Sequence, residues 1–290
     1  YPSFPEYVRI GQMILLADGT VVLSVTNVRR NQIDCQVVSG ATFSSQKNLC
    51  LPGVKMDLAF LSDADIRDIK FGVDQNIDII FASFIRTPEN VLEIRKILDA
   101  TANGKHVKII SKIDNMEGVN NIRTIIDVSD GIMIARGVLG MDIPLDRLPI
   151  AQKNISSLCN LSGKPIICAT QMLESMITNI RPTRAEATDV ENAVMDGADC
   201  VMLSGETAIG NHPVEAVKNL HILCLAAEKT NRTRRLYENI KESMNLMEKS
   251  QAIAMAAVSI SYKIRSDIII ALTTTGKYKI MLINLAPSMP

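Results

Sequence analysis

Three stretches near the start of the chain, YVRIGQMILL (7–16), TVVLSVTNV (20–28) and QIDCQVVSG (32–40), are β-branched and partly alternate apolar with polar positions. ADG at 17–19 and RRNQ at 29–32 separate them, and LPG at 51–53 punctuates the exit. Period-two alternation bounded by turn residues predicts a small antiparallel β module over 1–53. From about 54 the pattern changes to helix, strand, helix, strand. Ser62 with Asp65 reads as a capping box, and Gly72 is expected to stop that helix. IDIIFASF (77–84) is a predicted strand, and Thr87-Pro88 opens a helix that closes near Gly104. VKIISKI (107–113), GIMIARG (131–137), PIICATQ (165–171) and CVMLSGET (200–207) are the next strands. Helices follow them at 116–127, 146–161 (stopped by Gly163), 184–196 (stopped by Gly197) and 213–229.

The strands are near-continuous apolar runs, as expected of parallel strands buried on both faces. Repeated βα units build either a doubly wound sheet or a barrel. Every strand here ends in small or reactive residues: Ser83 and Arg86, Lys112 and Asp114, Arg136 and Gly137, Thr170 and Gln171, Ser204 to Thr207. In a (β/α)8 barrel all such ends share one face, whereas in an open sheet only those near the switch point converge. The reading is therefore an α/β protein with a TIM-type (β/α)8 barrel domain over 54–229. Five units cannot close eight strands, so three are expected outside this sequence. Beyond 229, the polar stretch KTNRTRRLYENIKESMNLMEKS reads as a solvated linker and helix face. QAIAMAAVSISYKIR then reads as an amphipathic helix, DIIIALT as a strand and TTTGKYK as a strand-to-helix loop, the start of a second α/β domain over 230–290.

Composition narrows the function classes. The 290 residues are 47% hydrophobic, enough for a large core, and 31 basic residues balance 31 acidic ones. Nucleic acid and membrane surfaces call for a basic excess, so neither is an expected partner. The six cysteines form no C-x-x-C pair; Cys168 and Cys200 sit in apolar runs and are expected in the core. Reduced thiols fit a cytoplasmic protein. No apolar run reaches the ~20 residues that span a bilayer, and YPSFPEYVRI lacks the pattern of a signal peptide.

Lys112 ends an apolar strand, and Asp114, two residues on, points to the same side of an extended chain. Together they suit a phosphate and a divalent cation, or form an ion pair. Gly137-Val138-Leu139-Gly140 offers backbone N–H groups at the start of a helical turn, which favour anions; a tight βα turn would need the same glycines. Thr170 adds a hydroxyl at the next strand end.

The motifs SKIDNMEGV, DGIMIARGVLG, KPIICATQMLESM and RPTRAEATDVENAVMDGADCVMLSGETA, in this order, resemble pyruvate kinase. The resemblance runs from about 6 to 285. It implies that 1–53 is the remainder of a β-rich B domain inserted after barrel strand three, 54–229 barrel strands four to eight, and 230–290 the start of the C-terminal domain. It also implies a cytoplasmic glycolytic enzyme transferring a phosphoryl group from phosphoenolpyruvate to ADP with Mg²⁺ and K⁺. The K⁺ ligands would lie upstream of this sequence. Lys112 would stabilise the transferring phosphoryl group, and Thr170 would sit beside the enolate carbon. The N–H groups of Gly137 and Val138 would hold the substrate carboxylate, Lys47 would lie near the nucleotide, and Asp114 would be a metal ligand. The family is usually tetrameric, so a homotetramer or a hetero-oligomer with a related kinase is expected.

Two departures fall on metal positions. Asp114 stands where the family has Glu, and Val138 replaces the Asp of ARGDLG. Because Mg²⁺ is often held by one or two carboxylates, the expectation is an impaired kinase, or a degenerate paralogue that serves as an oligomer partner. Smaller departures are Cys50 for Asn before LPG, Ala17 for the first Asp of DDG, and Tyr278 for Ser closing a loop that binds a sugar-bisphosphate activator in regulated members.

Overall fold

In the computed structural model, the described residues are 3–43, 45, 47–54, 59–229, 249–264, 266 and 268–274. The linker at 230–248 and the loop from 275 on, with Tyr278, lie outside them.

The N-terminal alternation forms one antiparallel sheet. Its strands are β1 (Met13–Leu16), β2 (Val21–Arg29), β3 (Gln32–Ser39) and β4 (Leu49–Cys50), in the order β3-β2-β1-β4. Arg29 pairs with Gln32, so Arg30-Asn31 is a two-residue hairpin loop. The 17–19 turn between β1 and β2 takes positive φ at all three residues, Ala17 (49°), Asp18 (56°) and Gly19 (82°). The alternation buries Ile14, Val21 and Val25, with Val8 and Leu51 closing the small core.

The second sheet is parallel: β5 (Ile79–Ala82), β6 (Lys108–Ile113), β7 (Gly131–Ala135), β8 (Ile166–Ala169) and β9 (Cys200–Met202), hydrogen-bonded in that order. The order never reverses, so the described sheet has no switch point, which is the order that consecutive barrel strands take. The intervening helices are α1 (Asp63–Asp74), α2 (Pro88–Asp99), α3 (Met116–Asn120), α4 (Ile122–Val128), α5 (Arg136–Asp142), α6 (Leu148–Ser162), α7 (Arg184–Met195), α8 (Gly205–Ala208) and α9 (Pro213–Glu228). Successive helices touch, α1 on α2, α2 on α4, α4 on α6, and α7 on α9, as a single helical layer requires.

Period-two alternation splits the strand residues between two faces. Ile109, Ile113, Ile132, Ile134 and Ile166 pack with Val91, Ile94, Leu98, Ile125 and Ile155 from the helices. Ile110, Met133 and Ala169 form a separate cluster with Ile167 and Met202 on the other face. Lys112 follows Ile110 at a spacing of two, so it rises from this second face. Cys168, Met172, Leu173, Val190 and Ala216 make a further cluster under α7 and α9.

The structure corrects several boundaries. Gly72 does not stop α1, which runs to Asp74; the reversal comes at Asn76, at φ 57°. Ser62 does cap it, accepting from the Asp65 N–H. The expected helix at 116–127 breaks at Asn121, between α3 and α4. The strands expected at 77–84, 131–137, 165–171 and 200–207 end sooner, at Ala82, Ala135, Ala169 and Met202, because the chain bends where chemistry-bearing residues begin. Phe84, Thr170 and Gln171 have φ of 57°, 71° and 55°, which no strand accommodates. Cys168 is buried as expected, but Cys200, on the edge strand β9, is exposed. The expected helix near the end is present as Lys249–Ile264. The DIIIALT segment is no strand over its described residues 268–273, which gain no ladder partner among the described residues.

Candidate active site

Strands β5 to β8 deliver the candidate residues side by side. Lys112 of β6 pairs with Met133 of β7, and Ala135 of β7 pairs with Ala169 of β8, so Lys112, Arg136 and Thr170 leave adjacent strand ends on one rim. Lys112 is half-buried and its Nζ donates to Ser83 Oγ at 2.7 Å, at the end of β5. The bond fixes the ammonium over the rim while the stem lies on the apolar face.

Asp114 is 3% exposed. Its Oδ2 accepts from the Phe84 N–H at 2.9 Å and its Oδ1 from Asn115 Nδ2 at 2.9 Å. Burial pushes its carboxyl above the ordinary range, against the Phe84 and Asn115 hydrogen bonds and the charge of Lys112. Phe84 is non-glycine in the left-handed region, a conformation costing roughly 1–3 kcal/mol that surrounding contacts must over-determine. The carboxylate–amide bond supplies one such contact.

At β7 the chain turns from strand into helix without a loop: Ala135 has φ −90° and ψ 76°, and α5 starts at Arg136. The first-turn N–H of Gly137 donates to Thr170 Oγ1 at 2.6 Å, and that hydroxyl donates to Ala169 O at 2.6 Å. A Cβ at 137 would meet Thr170 Oγ1 at 3.3 Å, so glycine is what lets the strand ends approach. Val138, next in α5, is half-buried and brings only an isopropyl group to this rim.

Arg136 is the best-connected side chain here and is 7% exposed. Its Nε and Nη2 donate to Thr170 O at 3.2 and 2.9 Å, and Nη2 also donates to Gln171 O at 3.2 Å. Nη1 donates to Asp189 Oδ1 at 2.8 Å, and Nη2 lies 2.7 Å from Asp189 Oδ2. Burial opposes the guanidinium charge, and Asp189 more than restores it. Two residues past Gln171, the Leu173 N–H donates to Glu206 Oε1 at 2.9 Å; Glu206 is fully buried, and its Oε2 accepts from the Ser204 N–H. The 170–173 turn is thus gripped by a cation at its carbonyls and an anion at an amide.

The structure brings Lys112, Asp114, Gly137, Val138 and Thr170 to one rim. Lys47 is exposed in the loop before β4, on the β module. Sequence reading missed Asp189 and Glu206, which reach Arg136 and Leu173 from 53 and 33 residues away and carry no local signal. Their segment was legible only as a helix and a strand end.

A divalent cation needs oxygens that are free to ligate. The rim offers one carboxylate, Asp114, both of whose oxygens already accept hydrogen bonds, and an apolar Val138. Among the described residues no three His, Cys, Asp or Glu side chains come together to hold a metal ion. The donor set does not fit a protein-built Mg²⁺ site. Among the described residues no helix is long and apolar enough to cross a membrane.

Comparison with known proteins identifies a family. The family described as pyruvate kinase, barrel domain, matches residues 1–217. The chain is 47% identical over 278 residues to pyruvate kinase PKLR of Homo sapiens, covering 96% of this chain and 48% of that protein. It is 47% identical over 296 residues to a pyruvate kinase of Dictyostelium discoideum and 45% over 292 residues to one of Candida albicans, covering 100% of this chain and 58% of each. The chain therefore spans about half the length of the curated relatives it matches. A barrel-domain match over most of the chain, with near-half identity to proteins of this kind, establishes that the chain belongs to the pyruvate kinase family.

Proposed function

We propose that the protein acts on phosphoenolpyruvate and ADP as a weakened pyruvate kinase. The single observation carrying this reading is the rim itself, where Lys112, Thr170 and the Gly137 N–H sit together with one carboxylate, Asp114, whose oxygens are already hydrogen-bonded, and with Val138 in place of a second. Lys112, fixed by Ser83, faces the transferring phosphoryl group and offsets its charge. The N–H groups of Gly137 and Val138 at the start of α5 receive the substrate carboxylate, the Gly137 N–H being shared with Thr170 Oγ1. Thr170, whose hydroxyl bridges Gly137 N–H and Ala169 O, stands beside the enolate carbon and hands a proton through water. Lys47 approaches the nucleotide from the β module. Residues 1–53, 54–229 and 230–290 act as parts of a B domain, the barrel and a C-terminal domain in a cytosolic enzyme, assembled as a tetramer. In the family K⁺ accompanies Mg²⁺; this chain's weakness lies at the Mg²⁺ side, at Asp114 and Val138.

The test pairs binding with turnover. Native protein is expected to bind Mn²⁺, a probe for Mg²⁺, weakly by titration calorimetry and to turn over slowly in a coupled assay. Val138→Asp with Asp114→Glu is expected to raise both affinity and rate at least tenfold. Ordinary native rates with tight Mn²⁺ binding overturn the impairment. Val138, which brings no carboxylate to the rim, also favours a second reading, a non-catalytic oligomer partner. That reading is preferred if the double variant binds Mn²⁺ yet stays silent, and native protein co-assembles with an active relative.

A further inference from the structure

Arg136 has no assigned contact with substrate itself, yet it binds the backbone of Thr170, which does. Thr170 and Gln171 hold two consecutive left-handed conformations without being glycine. Such a pair persists only if something else fixes it, and here three guanidinium hydrogen bonds reach the carbonyls of those two residues. The next residue in sequence, Gly137, fixes the Thr170 hydroxyl through its N–H. One dipeptide of β7–α5 therefore sets both the backbone and the side chain of Thr170. Asp189 on α7 holds the far side of the guanidinium fork, and Gln152 on α6 accepts from Nη1 at 3.4 Å. Planar, multi-point donation is what an ammonium cannot copy.

We propose that Arg136 is a positioning residue for Thr170, with Asp189 as the countercharge that orients its fork. This deepens the phosphotransferase reading and rests on it for the catalytic consequence, though not for the structural one. Holding the turn places the Thr170 hydroxyl at the rim. Loosening it leaves substrate binding at Lys112 and the α5 amides in place and moves only the group that delivers the proton.

Arg136→Lys and Asp189→Asn are made in the native chain and in the Val138→Asp, Asp114→Glu background. Hydrogen exchange is followed in 170–174, and kcat and KM for phosphoenolpyruvate are measured in the background that turns over. Arg136→Lys is expected to speed exchange in 170–174 at least tenfold while the amides of β6 and β7 are unchanged. It lowers kcat at least tenfold with KM shifted less than threefold, and Asp189→Asn moves both the same way by less. In a Thr170→Ala background, Arg136→Lys is expected to lower kcat no further, because the group it positions is gone. Unchanged exchange in 170–174, or a kcat loss that adds fully to that of Thr170→Ala, overturns the proposal. Absence of turnover in every background sinks the phosphotransferase reading instead. The exchange data still decide whether Arg136 holds the turn. Should Arg136→Lys fail to fold, Asp189→Asn carries the same comparison.

Discussion

The Gly137 amide and the Thr170 hydroxyl are joined at 2.6 Å across the ends of β7 and β8. The bond links the turn that starts α5 to a threonine held at φ 71°. Thr170→Ser keeps the hydroxyl and is expected to leave stability within about 0.5 kcal/mol, the usual range for changes that remove no specific interaction. Thr170→Val keeps the shape but leaves the Gly137 N–H without its acceptor, at a cost of roughly 1–2 kcal/mol. In the family's reaction the loss of a proton-handling group costs on the order of 10²-fold in rate. Urea unfolding and the coupled assay, run on both variants, check the pair. Equal stability of Ser and Val would mean the bond contributes nothing.

Asp114 gives a pH dependence with a definite sign. Its carboxyl is raised chiefly by burial, so the unfolded chain ionises it more readily than the folded one does. The contribution of the neutral acid is fully present below the unfolded value and is lost as pH rises through the raised one. Asp114→Asn removes that titration. The difference in unfolding free energy, wild type minus Asp114→Asn, is therefore expected to be greatest near pH 3 and to shrink as pH climbs past the ordinary carboxylate range. Chemical denaturation of both proteins between pH 3 and 7 measures it. A difference that grows with pH would place the ionised form as the favoured one and refute the assignment.

How much of this was legible in the sequence depends on the range of the contact. The βα alternation, the capping box at Ser62 and the helix stop at Gly163 follow from residues a few positions apart, and they are present. The family motifs named Lys112, Asp114, Gly137 and Thr170, and the rim holds them together. Four strands were read too long. The reading carried each apolar run into the small and polar residues beyond the last ladder bond, and nothing local says that Thr170 or Phe84 will take positive φ. The grips of Arg136 on Thr170 and Glu206 on Leu173 span more than thirty residues, and only the fold reveals them. Asp114 was legible as a carboxylate at a strand end. Its engagement by the Phe84 N–H was not, because that bond depends on where β5 ends.

Ala17 is a local misfit with a measurable cost. It occupies φ 49° at the first of three left-handed residues between β1 and β2, where Asp, Asn or Gly would be at ease. A left-handed L-residue costs roughly 1–2 kcal/mol, and Asn recovers part of this by bonding locally. Ala17→Asn is expected to stabilise the β module by about 0.5–1 kcal/mol, whereas Ala17→Val, β-branched at the same φ, destabilises it. The Ala17 N–H donates to Asn48 O, a backbone bond that neither substitution removes. Hydrogen exchange of β1 and β2 amides reads the effect within the module. Slower exchange in Ala17→Val than in the wild type would show that the turn is not strained.

Glu206 tests whether the 170–173 turn is held from its other side as well. The side chain is fully buried, and each oxygen accepts one backbone N–H, from Leu173 and from Ser204. Glutamine has one oxygen to give, so Glu206→Gln must turn its amide N–H₂ toward one of those donors. Two donors facing each other in a buried site leave at least one unsatisfied, at roughly 1–3 kcal/mol. The melting temperature is expected to fall by several degrees, about 2–4 °C for each kcal/mol in a domain of this size. The turn should respond locally as well as globally. Exchange at Leu173 or Ser204 quickens more than at β6, since only the bonds to Glu206 are lost. A variant that melts lower but exchanges uniformly would show that Glu206 supports the barrel at large. A variant that melts with the wild type would mean the two N–H groups find other acceptors.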